Sequence, residues 1–336
     1  MIVKLKSNRV YRTYPGGSRI DALVSGQKTA DGPFPEDWLA STVRAFNPGR
    51  EDIIEGLGMT EDGIPVTELA PEGLPILVKL LDAADRLVIQ VHPTRAFAWE
   101  AWQSKVGKTE SWYILEADET ACVYIGFQEH VTREAWIDVC ERQDVEGMLS
   151  MLHRFNVKKG DCIFVPGGVP HAIGGGCLLW ETQEPSDLMV VPERFTPAGV
   201  KLDERKQHGG IGFERMYDCF IYEGRSEADT RAWLFHQPAA LGEGFSLWLD
   251  AKENGIFSVV TCEPTSVAEH RFAEPFAVAV VTDGSGTIAL GESRAELRRG
   301  DRLLITELDR HVLSLSASTT DFKLVLSLPK AVQMNT

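Results

Sequence analysis

Four side chains scattered along the chain are of the kinds that hold a first-row divalent cation: Gln90, His92, Glu110 and His171. Two imidazoles, a carboxylate and an amide oxygen make a mixed nitrogen and oxygen donor set. Such a set suits zinc or a similar ion, and four protein ligands still leave room for water or substrate. A lone histidine after a Gly-Pro turn is usually structural. Burying all four groups together without a cation would leave polar atoms to satisfy, so a metal site explains the set better than packing does.

Three strand ends have to bring these residues to one point. Leu87-Val88-Ile89-Gln90-Val91-His92-Pro93 reads as a strand ending at Pro93, with Gln90 and His92 on one face because strand side chains alternate. Glu110 opens a second strand through Leu115. His171 follows the Gly160-Asp161 turn, an apolar strand over Cys162–Val165 and a tight Pro/Gly corner. Upstream, Pro75–Leu81 is a nearly all-apolar strand carrying Lys79. That lysine is either an edge gatekeeper or a charge aimed into a cavity.

The remaining chain supplies scaffold. Trp38–Val43 reads as a strand, and a short helix is expected near Thr67–Ala70. A helix capped by Thr94 runs towards Lys105, and two more, over Thr132–Cys140 and Asp144–Leu152, form a helical insertion at about 128–158. From about residue 225 strand signals dominate, among them Ala232–Phe235, Phe245–Leu249, Ile256–Val260 and Ala277–Val281. Asp283-Gly284-Ser285-Gly286 reads as a hairpin turn. Many short strands without strand–helix alternation imply sandwiches or barrels. A faint duplication supports two of them: Gly160-Asp161 and Gly300-Asp301 each precede an apolar strand, and each aspartate lies ten residues before a histidine, His171 or His311. Around the second copy there is no Gln-x-His pair and no matching glutamate except Glu274. The second barrel is therefore expected to keep the scaffold without a metal, with His311 structural or at the surface.

The 336 residues suffice for two domains, expected at 1–225, metal-binding with the helical insertion, and 226–336, a barrel without metal. A formal charge of −15 argues against nucleic acid or an anionic membrane as partner. A small anionic substrate would need a locally basic site. The N-terminus lacks a signal-like apolar block and no apolar run is long enough to span a bilayer, which together with six scattered cysteines and no Cys-x-x-Cys leads to a cytoplasmic expectation with free thiols.

Gln90-Val91-His92-Pro93, Gly107-Lys108-Thr109-Glu110-Ser111-Trp112-Tyr113 and Val165-Pro166-Gly167-Gly168-Val169-Pro170-His171-Ala172-Ile173-Gly174 closely resemble type I mannose-6-phosphate isomerases in their short bacterial form. Val78–Ala83 fits as well. The motifs cover roughly residues 30–220; beyond them the resemblance is one of architecture. It implies a mainly β fold of two cupin (jelly-roll) barrels with a small helical region, and a Zn2+ site on Gln90, His92, Glu110 and His171. It implies interconversion of mannose 6-phosphate and fructose 6-phosphate. It also implies a catalytic glutamate, here Glu181, followed ten residues later by an arginine. Val191 stands at the arginine position, and Arg194, three residues on, is the candidate replacement.

Aldose–ketose isomerisation moves a proton between adjacent carbons through an enediolate, so it needs a cation for the developing charge and a group that carries the proton. Glu181 is the candidate base or acid. Lys108, beside Glu110, is a candidate to polarise a substrate oxygen, Lys79 to balance charge in the cleft, and Arg194 to bind phosphate. Two alternatives stay open: an isomerase or epimerase for another sugar, and a regulatory protein that binds a sugar at the metal without turning it over.

Overall fold

The computed structural model describes residues 1–331. Two large antiparallel sheets lie back to back. The first runs, from edge to edge, Phe235–His236, Cys162–Val165, Glu110–Ala117, Cys177–Gln183, Leu77–Ala83, Glu36–Leu39 and Arg9–Val10. The second runs Ile2–Lys4, Arg302–Thr306, Phe276–Asp283, Lys323–Pro329, Phe257–Cys262, Phe245–Leu249 and Ala239–Gly242. A three-stranded sheet (Leu152–Asn156, Cys122–Phe127, His171–Ile173) closes the first barrel, and a four-stranded sheet (Val267–His270, Leu313–Ala317, Ser285–Leu290, Ser293–Arg298) closes the second. The fold is mainly β, with two jelly-roll barrels.

Alternation along the strands divides the core. On Leu77–Ala83, Val78 and Leu80 face the second large sheet, while Leu81 and Ala83 face the interior of the first barrel. Trp180 and Leu178 join the inter-barrel layer with Phe257, Val259, Val278 and Leu304. At its centre the Trp180 indole donates to Ser327 Oγ at 2.7 Å. Lys79 lies in an interior strand, paired with Trp38 on one side and Glu181 on the other. It is therefore not an edge gatekeeper: its side chain points into the first barrel.

The duplication is a property of topology. Corresponding strands occupy corresponding places in the two large sheets, and both Gly-Asp turns are built alike. Gly160 and Gly300 have φ of 92° and 87°, and Asp161 and Asp301 each accept the amide of the residue three before them. Val165, four beyond its aspartate, pairs with Glu110; Ile305, four beyond the other, pairs with Ala277. An alanine thus stands where the first barrel carries its carboxylate. Glu274 lies outside the strands, and His311 is exposed.

Several local expectations are corrected. Residues 87–91 do not form a ladder strand; they are extended and held by isolated bridges, Gln90 to His171 and Val91 to Val190. Residues 227–234 are a helix capped by Ser226 and leave only Phe235–His236 extended, because the cap and the amphipathic face outweigh the β-formers Trp233 and Phe235. Gly284 is no hairpin turn. The strands on either side of it belong to different sheets, so the chain changes layer there at φ 66°. The helical insertion contains Arg133–Glu141 and Val145–Ser150, capped by Thr132 and Asp144, but Leu152–Asn156 returns to the small sheet. Strand pairing also crosses the expected 225/226 division in both directions, since Phe235–His236 pairs with Cys162–Ile163 and Ile2–Lys4 pairs with Leu303–Ile305.

Candidate metal centre and active site

The segment from Gln90 to Pro93 is clamped from two sides. The Gln90 and His171 backbones exchange both hydrogen bonds, at 2.8 and 2.9 Å, which sets their side chains on one side of the pair. Gly168 donates to the His92 carbonyl at 2.7 Å, and Lys108 donates to the Pro93 carbonyl at 3.0 Å. Gly107 and Gly167 allow this approach, because a Cβ on either would sit 2.6 or 2.7 Å from the Pro93 oxygen. The Lys108 loop is fixed by buried Glu184, which accepts the amides of Gly107 and Thr109.

His92, Glu110 and His171 converge, with candidate ligand atoms all within 4.8 Å of one another. His92 Nε2 lies 3.1 Å from Glu110 Oε2, and His171 Nε2 lies 3.5 Å from Glu110 Oε1. Ligands about 2.0–2.1 Å from a tetrahedral zinc would stand about 3.3 Å apart. The tautomers fit the same purpose. His92 Nδ1 meets the Leu188 carbonyl at 3.1 Å and His171 Nδ1 meets the Val169 carbonyl at 2.9 Å. A carbonyl only accepts, so each Nδ1 carries the proton and each Nε2 offers a lone pair. His171 Nε2 and Glu110 Oε2 are buried without a hydrogen-bond partner. Lone pairs thus face lone pairs at ligand spacing, and that is the arrangement a cation would bridge.

The electrostatics agree. Burial and the Lys108 ammonium hold the His92 imidazole down at about 3, so it is neutral. Burial lowers His171 as well. Burial disfavours the Glu110 carboxylate, but with His92 neutral the neighbouring Lys108 ammonium holds it ionised, well below the usual range. Trp112 Nε1 donates to Glu110 Oε1 at 3.0 Å and its ring packs edge-on against His171, orienting both. Lys108 Nζ is 2.9 Å from His92 Nε2 and 3.4 Å from Glu110 Oε2.

Beside this cluster is an inner chamber of about 40 Å³ whose walls include Gln90, Lys108, Lys79 and Glu181. Glu181 Oε1 accepts from Lys79 Nζ at 2.8 Å. Burial raises Glu181 despite Lys79, while Lys79 itself is raised and remains a cation because Glu181 and Glu36 outweigh its own burial. A wider outer cavity of about 490 Å³ adjoins, sharing Asp187, Met189 and Lys206 with the inner one. The outer cavity is the larger, but Gln90, Lys108 and the perturbed carboxylate Glu181 line the inner one.

Sequence reading missed a second set of residues here. Glu36 accepts from Arg12 Nε at 2.9 Å, the Tyr14 hydroxyl at 2.7 Å and Trp38 Nε1 at 2.6 Å, and Arg12 also reaches both Asp187 oxygens. Burial would raise Glu36, but Arg12 and Lys79 hold it well below the carboxylate range. The available signal was Glu36-Asp37 heading a buried strand with Trp38; nothing local marks Arg12 or Lys206.

Arg194 does not join the site. Its side chain is exposed, and its amide donates to the Gln143 side chain on the helical insertion. Its neighbour Glu193 is buried instead, accepting from both terminal Arg86 nitrogens and from the Ile89 amide. Val191 is fully buried, its amide bonded to the Gln207 carbonyl at 2.7 Å.

No family model matches the chain. Mannose-6-phosphate isomerase of Streptococcus mutans is 30% identical over 254 residues, 72% of this chain and 75% of that protein. Mannose-6-phosphate isomerase ManA of Bacillus subtilis is 29% identical over 238 residues, 71% of each. The crystal structure of the Bacillus subtilis mannose 6-phosphate isomerase superposes with a TM-score of 0.75 at 22% identity, over 97% of this chain and 99% of the other. A mannose 6-phosphate isomerase bound with zinc and yttrium superposes at 0.68 and 13% identity, over 98% and 99%. A two-barrel cupin with a buried histidine–carboxylate cluster is the framework of a metal-dependent isomerase. The chain belongs to the mannose-6-phosphate isomerase family.

Proposed function

We propose that this enzyme interconverts mannose 6-phosphate and fructose 6-phosphate, with Gln90, His92, Glu110 and His171 holding a zinc ion. The observation that carries the reading is the pair of proton-fixed imidazoles facing an ionised carboxylate, whose Oε2 accepts no hydrogen bond, beside a chamber that holds a second, raised carboxylate. When bound, the cation supplies Lewis-acid stabilisation of the negative charge that develops as a proton leaves the carbon beside the carbonyl.

The chain's own groups do the rest. Glu181 takes the proton from C2 of the sugar and returns it to C1; burial makes it a better base than an ordinary glutamate once ionised. Lys79 fixes its orientation. Lys108 reaches the rim of the ligand cluster and donates to a substrate oxygen. A coupled assay with mannose 6-phosphate and zinc-loaded protein is expected to show turnover, accompanied by solvent deuterium entering the product. Absence of both would overturn the reading.

A further inference from the structure

Five lysines and arginines are buried: Arg12, Lys79, Lys108, Lys206 and Arg302. Arg12 pairs with Glu36 and Asp187, Lys79 with Glu181 and Glu36, Lys108 with Glu110, and Arg302 with Asp37. Among the described residues Lys206 has no such partner, since no acidic oxygen lies within 4.0 Å of its ammonium. A buried unpaired charge is costly and is kept where an anion visits. Burial and the nearby Arg12 hold it down to about 8.

Its position says where that anion comes from. Lys206 lines both chambers. The inner one, about 40 Å³, has room for little more than a water or two. A hexose derivative reacting at the Gln90 and Lys108 end must therefore extend through the junction into the outer cavity. That cavity is lined by Arg44, Arg205 and Lys206 and by one acid, Asp187. Asp187 is bound to Arg12 and the Phe46 amide and Arg205 to Glu51 and Asp203, which leaves Arg44 and Lys206 as its cations without a salt bridge among the described residues. In a chain of net charge −15 this is a local reversal of sign. We propose that Lys206 seats the anionic end of the substrate, a phosphate monoester, at the junction of the two chambers. The proposal rests on the sugar-phosphate reading above and names the residue that makes it specific.

The test uses full-length, zinc-loaded protein and the Lys206→Met variant. Inorganic phosphate, titrated calorimetrically against a chloride control of equal ionic strength, should bind the wild type and bind the variant roughly tenfold to a hundredfold more weakly. With mannose 6-phosphate the variant's KM should rise by a similar factor. The loss in kcat/KM should be much larger for mannose 6-phosphate than for unphosphorylated mannose, and Lys206→Arg should recover part of it. Bound zinc per chain and melting temperature without phosphate should not fall in Lys206→Met, because the change removes an unpaired charge. Equal phosphate affinity in both proteins, or equal losses on the two sugars, would overturn the assignment. If the wild type binds phosphate through Lys206 but does not turn over mannose 6-phosphate, the anion seat stands and only the named reaction fails.

Discussion

At the scale of single residues, the division of labour between carboxylates follows from their neighbours. Glu110 has the Lys108 ammonium against it and stays charged, as a ligand must; Glu181, whose burial outweighs its Lys79 partner and which faces Glu110 and Glu36, is raised, as a proton carrier should be. His92→Ala and His171→Ala are each expected to strip the metal, read as zinc per chain in dialysed protein. Glu181→Gln is expected to keep it while kcat falls by about 10²- to 10⁴-fold. The pH dependence has a definite sign. The base form of Glu181 exists only above its raised pKa, so kcat should decline on the acid side at a pH above the ordinary carboxylate range, and Glu181→Gln should abolish that limb. Trp112→Phe removes the indole donor to Glu110 and should weaken zinc binding by about 10- to 100-fold, measured by chelator competition.

At the scale of elements, the centre depends on two loops pressed against Pro93. Gly167→Ala would drive a methyl into the Pro93 carbonyl and displace His92, so metal affinity should fall even though no ligand is changed, while the barrel's circular dichroism stays the same. This level was partly legible in the sequence. The ligand types, the Glu110 strand and the Pro/Gly corner before His171 follow from local pattern. Local pattern also shows where it stops. Residues 87–91 look like a strand because they are apolar and β-branched, but their backbone partners are isolated bridges. Gly284 looks like a hairpin because turn chemistry records a reversal and not which sheet the chain enters next. Arg194 is the sequence's candidate to replace Val191 because three residues are close along the chain, whereas in the fold its side chain is exposed, lines neither chamber, and its amide is held by Gln143 of the helical insertion. Arg12, Glu36 and Lys206 come from segments nearly 200 residues apart, and no spacing rule could have joined them to Glu181.

At the scale of the whole molecule, the two barrels share a core. Trp180 lies in the same strand as Glu181, alternating with it: one side chain faces the second barrel and the next faces the chamber. Trp180→Ala should cost about 3–5 kcal/mol, read from equilibrium chemical denaturation, through lost packing between the barrels. All six cysteines are free and buried, so reductant should leave that denaturation curve unmoved.

The short strand Ile2–Lys4 lies on the rim of the sheet opposite to the one that carries the chemistry, alongside Leu303–Ile305. A protein begun at residue 5 would keep the buried core residue Leu5 and every group of the candidate site, yet would expose a row of bare amides and carbonyls along an apolar margin. Such a molecule should turn over substrate normally when dilute and drift into higher-order species as its concentration rises, visible by light scattering, so those first few residues serve as a guard against clumping.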